Sequence, residues 1–222
     1  MIYQAFSRRE AIISLLDARA GSPPSATELL RRHSQNIEAL DQLLRDWEQW
    51  AADLMESHLS YPVLCYYRSQ HSNQSWLAAL TAILDTSAMG IVGVEGASRQ
   101  QAQLTFAIAR HAVVDLAETF KTPPRTPAPD RLPPDGLIRL RSMLAAAGIG
   151  LRDGSAADEE LSELRRMYEP YVYALAEFLL MPLPRWALTS DAFDNWQTSS
   201  WGRISAGIAT PVSFKSQDIE HF

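Results

Sequence analysis

WLAALTAILDTSAMGIVGV, residues 76–94, carries a single charge, Asp85, and breaks up toward its end at Gly90 and Gly93. A run this apolar is either a membrane span or the central helix of a globular core. Its Ala, Thr, Ser and Gly content makes it only mildly hydrophobic, and an ionised Asp near the middle of a lone span costs roughly 2.5–3.5 kcal/mol. The stretch is therefore read as a buried core helix, capped by Ser72 or Asn73 and running from Trp76 to about Val92. Ser98 then opens a second sparsely charged helix, in which Leu104, Ile108, Ala112 and Leu116 recur at helical spacing. Two such helices joined by a short turn containing Gly93 and Gly96 predict an antiparallel hairpin at the centre of an all-α, multi-helix bundle.

Working outward, Ile37, Leu40, Leu44, Trp47, Ala51, Leu54 and His58 fall on alternating three- and four-residue steps, one stripe of a long helix ending near Leu59. Glu38, Asp41, Arg45, Asp46, Glu48 and Asp53 lie opposite. So acidic a face does not sustain an isolated helix, and packing must hold it. Further upstream, Arg8 to Arg19 reads as a helix through Ile12, Leu15 and Leu16. It stops at Gly21-Ser22-Pro23-Pro24, after which Ser25-Ala26-Thr27-Glu28 has the form of a capping box. Between the long helix and the hairpin, Val63 to Tyr67 is a short aromatic run compatible with a helical turn or a strand.

Downstream, residues 121–134 contain Pro123, Pro124, Pro127, Pro129, Pro133 and Pro134 and read as an extended surface connector. Helices are expected over Asp135 to Ala147 and over Ser155 to Leu180. The second has Leu161, Leu164, Tyr168, Tyr171, Leu175 and Phe178 as its stripe and a kink or break at Pro170. The organisation expected is one helical domain over residues 1–186, with the proline-rich connector inside it, and an irregular polar tail over 187–222. Trp186, Trp196 and Trp201 mark that last region.

Composition narrows the function classes. The 222 residues are 46 % apolar and 21 % charged, with a net charge of -6; nucleic acid is an unsuitable partner because no global basic field gathers phosphates. One cysteine, Cys65, allows no intramolecular disulfide, and no paired-cysteine zinc spacing occurs, which suits a reducing, cytoplasmic setting. No apolar leader follows Met1. No cofactor motif is present: Gly90, Gly93 and Gly96 lack the preceding strand and terminal Lys of a nucleotide loop. Nor does a Gly-x-Ser-x-Gly elbow expose a nucleophile, so no catalytic residue is assigned.

Two sets of residues remain as candidates. Tyr61, Tyr66, Tyr67, Arg68 and His71 form the most unusual local composition and could line a ligand pocket, with Arg68 as an anion partner; the bland reading packs the tyrosines on the bundle with their hydroxyls at the surface. His111, Asp115 and Glu118 project from one side of one helix. With Asp85 facing them from the other arm of the hairpin they could hold a metal, although a hydrogen-bonded polar network is the commoner outcome.

Three stretches carry a family resemblance. Ala18-Arg19-Ala20-Gly21-Ser22-Pro23-Pro24 leading into Glu28-Leu29-Leu30, the run from Glu56-Ser57-His58-Leu59-Ser60-Tyr61-Pro62 through Arg68-Ser69-Gln70-His71 to Trp76-Leu77-Ala78-Ala79-Leu80, and Tyr168-Glu169-Pro170-Tyr171-Val172 resemble the cytosolic carboxy-terminal region of bacterial two-transmembrane potassium-channel proteins. The likeness spans most of residues 7–186. The pore helices and Gly-Tyr-Gly filter of that family have no counterpart here. The resemblance implies a regulatory or assembly domain at the inner face of a membrane, partnered by copies of itself or by a pore segment outside this chain. The alternatives from the residues alone are a stand-alone helical small-molecule sensor and a metal-dependent helical hydrolase.

Overall fold

The computed structural model describes residues 2–69 and 74–187. They form seven α-helices: α1 Ile2–Ala20, α2 Ala26–Arg32, α3 Glu38–Ser60, α4 Trp76–Gly93, α5 Arg99–Thr119, α6 Pro134–Ala146 and α7 Ser155–Leu179. A 3-10 turn over Pro62–Tyr66 follows α3, which settles the aromatic run as helical. Among the described residues no strand forms, so the all-α class holds. A single antiparallel bridge between Val94 and Leu151 ties the α4–α5 turn to the α6–α7 turn. His71, Trp196, Trp201 and the tail beyond Ala187 lie outside the described residues.

Helix α4 is the axis of the fold. Every residue from Trp76 to Val92 is buried. The helix is long and apolar enough to cross a membrane, yet 94 % of that window is buried by the protein itself, as a core helix requires. Its cap is Ser75, whose hydroxyl accepts the Ala78 amide at 3.0 Å, rather than Ser72 or Asn73. The polar groups along it are satisfied locally where they can be: Thr81 donates to the Leu77 carbonyl and Thr86 to that of Ala82, each at 2.7 Å. Asp85 has no such local outlet.

The other arm, α5, packs along α4 as expected, and α3 packs along α5. Ser98 caps α5 by accepting the Gln101 amide at 3.2 Å. The acidic side of α3 meets this helix start. Asp41 accepts the Ser98 amide at 3.0 Å and Glu48 accepts from Gln101 at 2.8 Å, placing carboxylates where the α5 dipole favours them. The buried face of α5 differs from the expected stripe. Ala102, Thr105, Phe106, Ala109, Ala112, Val113 and Leu116 turn inward, while Leu104 is 49 % exposed.

Glycines at the hairpin serve packing and turning. A Cβ on Gly90 would stand 2.9 Å from the Ala102 Cβ, so its absence lets α4 and α5 approach. Gly96, at φ +82°, lies against Ile37, whose Cγ2 would be 2.8 Å from an added Cβ.

At the N-terminal side, only half of the capping box forms. Ser25 accepts the Glu28 amide at 3.2 Å, but the Glu28 carboxylate turns to Arg31 and Arg32, and the Ser25 amide donates to the Ala20 carbonyl instead. Helix α7 runs through Pro170 without a break in assignment. The proline lacks an N–H, and its own carbonyl accepts the Arg125 amide at 3.0 Å, pinning the connector to α7. That connector is not wholly a surface feature: Leu132 is 5 % exposed and the Arg131 side chain 9 %.

Candidate functional site

Asp85, buried completely in the middle of α4, is where the chemistry concentrates. An ionised carboxylate there must be paired. Arg131 from the connector supplies a two-pronged contact, Nη1 reaching Oδ1 at 3.2 Å and Nη2 reaching Oδ2. The Tyr168 hydroxyl of α7 donates to the same Oδ1. Arg131 also meets Glu169 at 3.0 Å. Glu169 in turn accepts from Arg165 at 3.0 Å, and Arg165 pairs with Asp130 and donates to the Leu132 carbonyl at 3.0 Å. Three carboxylates and two guanidiniums thus interlock across α4, α7 and the connector.

Burial pushes the Asp85 carboxyl up from its ordinary value, with the Arg131 charge opposing. Burial works most strongly against the Arg131 charge, but Asp85, Tyr168 and Glu169 together outweigh it and the guanidinium is held more firmly protonated than usual. The Tyr168 phenol, buried and beside Asp85, is raised well above its normal range and stays a hydrogen-bond donor.

The same arginine reaches outward. Its Nε and Nη2 donate to the Pro184 carbonyl at 3.2 and 3.0 Å. Residues 181–187 form a strap that returns over α2 after α7 ends. Thr27 fixes it through its amide and hydroxyl, both on the Trp186 carbonyl at 3.1 and 2.7 Å. The Trp186 indole donates to Glu169 at 3.3 Å and its ring lies between the Arg131 and Arg165 guanidiniums, 5.8 and 5.7 Å from the centroid.

Strap, connector, α2, the start of α6 and the end of α7 line a half-open cavity of about 1110 Å³. Leu132, Met143, Tyr173, Met181, Leu183 and Trp186 supply apolar wall. Five arginines line it (Arg31, Arg32, Arg131, Arg139, Arg185) against three carboxylates (Glu28, Asp130, Glu177). Asp85 stands behind the wall at 0 % exposure. It anchors the site and is out of reach of a substrate.

The candidate metal set does not come together among the described residues. His111 is an exposed residue whose Nε2 faces Asp115 at 3.2 Å, and Glu118 is exposed on the same helix. Asp85 is turned away into the core, because Arg131 and Tyr168 supply the partners it needs there. Among the described residues no group of three or more His, Cys, Asp and Glu side chains is placed to hold a metal ion.

The tyrosine-rich segment packs on the bundle, the commoner of its two readings. Arg9 of α1, 3 % exposed, inserts beneath the 62–67 segment and donates to the carbonyls of Leu64 at 2.9 Å and Tyr67 at 2.8 Å. The segment is thereby fastened by its backbone, and Tyr66 and Tyr67 stand 55 % and 48 % exposed. Arg68 donates to the Leu180 carbonyl at 2.8 Å. Tyr61 borders a cleft of about 300 Å³ between α1 and α3.

Sequence reasoning singled out Trp186 as a feature of the tail but did not bring it, Arg131 or Glu169 to Asp85. A lone Asp in an apolar run demanded a cation, and the Asp130-Arg131-Leu132 triplet inside the proline stretch was the available signal. No family model, no curated protein and no solved structure matches this chain.

Proposed function

We propose that this chain is a helical binding domain that senses a small molecule in the cavity between the connector and the 181–187 strap. The observation that carries the reading is the double engagement of Arg131. One guanidinium lies on Asp85 and Glu169 at the core and on the Pro184 carbonyl at the cavity wall. A ligand that shifts the strap alters the packing of α4 and α7 through that single side chain. The volume and the mixture of apolar wall with a few charged groups suit a small-molecule site.

A thermal-shift screen over metabolites tests this. A ligand at about 100 times its Kd stabilises by about 2.7 kcal/mol, and the strap amides should gain hydrogen-exchange protection when it binds. Stabilisation without any change at residues 181–187 counts against the cavity as the site.

A second reading follows the channel-type resemblance: a regulatory and assembly domain that associates with copies of itself beneath a pore. The exposed rings of Tyr66 and Phe178, packed around Phe120 at 5.7 and 5.4 Å from it, and Leu180 at 74 % exposure form an apolar patch that favours association. Sedimentation velocity on the wild type and on Phe178→Glu tests it; a monomer at all concentrations removes the reading.

A further inference from the structure

Resting on the cavity reading above, we infer that the ligand is an amphipathic acid, with a carboxylate or phosphate head and an apolar body. The charge balance of the wall is the reverse of the chain's. The protein carries a net charge of -6, yet among the described residues the cavity is lined by five arginines and three carboxylates.

Two of those arginines are positioned to receive a head group. Arg185, on the strap, has no ion-pair partner among the described residues and is exposed. Arg139, on α6, pairs among the described residues with Asp135 alone, at 2.8 Å with side chains 70 % and 65 % exposed, a pair that water screens and an incoming anion can replace. Guanidinium forks match carboxylate and phosphate oxygens in two-pronged fashion.

The body of the ligand follows from the remaining wall. Met143, 38 % exposed, and the half-buried Leu183 present apolar surface to the cavity, and Leu132, Met181 and the Trp186 ring back it from the core. These groups offer no donor to a second polar head, because the Trp186 indole is already spent on Glu169. A small inorganic anion leaves that apolar volume unfilled, and a neutral lipid leaves the cations unanswered.

Isothermal titration of the full chain with decanoate, decyl phosphate, decanol and butyrate decides the matter. Decanoate or decyl phosphate is expected to bind at least about tenfold more tightly than decanol and than butyrate, and which of the two binds better identifies the head. The preference for acid over alcohol should weaken in high salt. It should be lost in Arg139→Gln/Arg185→Gln, two exposed positions whose replacement leaves the melting temperature in place, and be retained in the Arg→Lys pair. Equal binding of decanol and decanoate overturns the acid and leaves the cavity reading standing. Equal binding of butyrate and decanoate overturns the apolar body. An unchanged preference in the double Gln variant places the acid elsewhere and overturns the assignment to this cavity.

Discussion

Asp85 and Arg131 lie 46 positions apart in the chain and meet in the core, the carboxylate wholly buried and the guanidinium 9 % exposed. The pair joins the most apolar helix of the protein to its most proline-rich segment. It adds to the ties from α7, where the Pro170 carbonyl accepts the Arg125 amide and Arg165 donates to the Leu132 carbonyl, since extended backbone rich in proline makes few hydrogen bonds of its own.

Asp85→Leu is therefore expected to destabilise the fold by about 3–5 kcal/mol, the usual consequence of leaving one member of a buried pair alone. Arg131→Met should be comparably costly. The double variant Asp85→Leu/Arg131→Met should recover most of the loss, because it removes both charges, while Glu169 keeps Arg165 and the Trp186 indole. Urea unfolding of the four proteins measures this cycle. Additive losses would mean that the two residues do not act as a pair.

His58 gives the fold an acid limit. Arg9 can only donate, so its contact at 3.0 Å requires His58 Nε2 to accept, and Nδ1–H then donates to the Leu54 carbonyl at 2.8 Å. Burial, and then the Arg9 charge, push its pKa down to about 3. In the unfolded chain the ring titrates near 6.5, so as pH falls below about 6.5 the unfolded state binds a proton that the folded state refuses, and stability drops until the folded ring also titrates. For one proton the slope is about 1.4 kcal/mol per pH unit. Urea titrations between about pH 6.5 and 5, above the range of ordinary carboxylates, should show this slope in the wild type and a flatter one in His58→Asn. Parallel slopes would assign the proton to another group.

Features set by local periodicity were legible. The α3 stripe, the Ser25 and Ser98 caps and the α4–α5 hairpin follow from residues within a few positions of each other. The α5 face was legible only in part: of Leu104, Ile108, Ala112 and Leu116, Ala112 and Leu116 are buried. Its buried side is made of Ala and Thr, which let α3 and α4 approach, and Leu104 points outward. Asp85 was visible as an anomaly. Its partner was not, because choosing Arg131 over the other arginines is a long-range packing outcome that no spacing encodes. The tyrosines near His71 looked functional by composition, but Arg9 from α1 claims the backbone there and leaves the Tyr66 and Tyr67 rings outside.

Cys65 should be inert in the native protein. The side chain is buried, and burial pushes its thiol up to about 12, with Arg9 opposing only in part. The thiolate is the reacting species, so a disulfide reagent at pH 8 should label nothing until denaturant is added. Rapid stoichiometric labelling under native conditions would mean that the 62–67 segment opens readily from Arg9.

Gly90→Ala tests how closely the central hairpin is packed. The added Cβ would stand 2.9 Å from the Ala102 Cβ, and neither atom sits at the end of a flexible chain that can swing aside. The helices must separate locally, at a cost of about 1–3 kcal/mol for overpacking. That cost exceeds the gain of roughly 1 kcal/mol that Ala brings over Gly in a helix interior, so the variant should melt lower. Ala102→Gly in the same chain removes the opposing methyl and should restore much of the loss, although Ala102→Gly alone is destabilising. Thermal unfolding of the two single variants and the double separates the effects. Rescue identifies the Gly90–Ala102 approach as the constraint on how near α4 and α5 lie, and its absence would shift that role to the turn at Gly93 and Gly96.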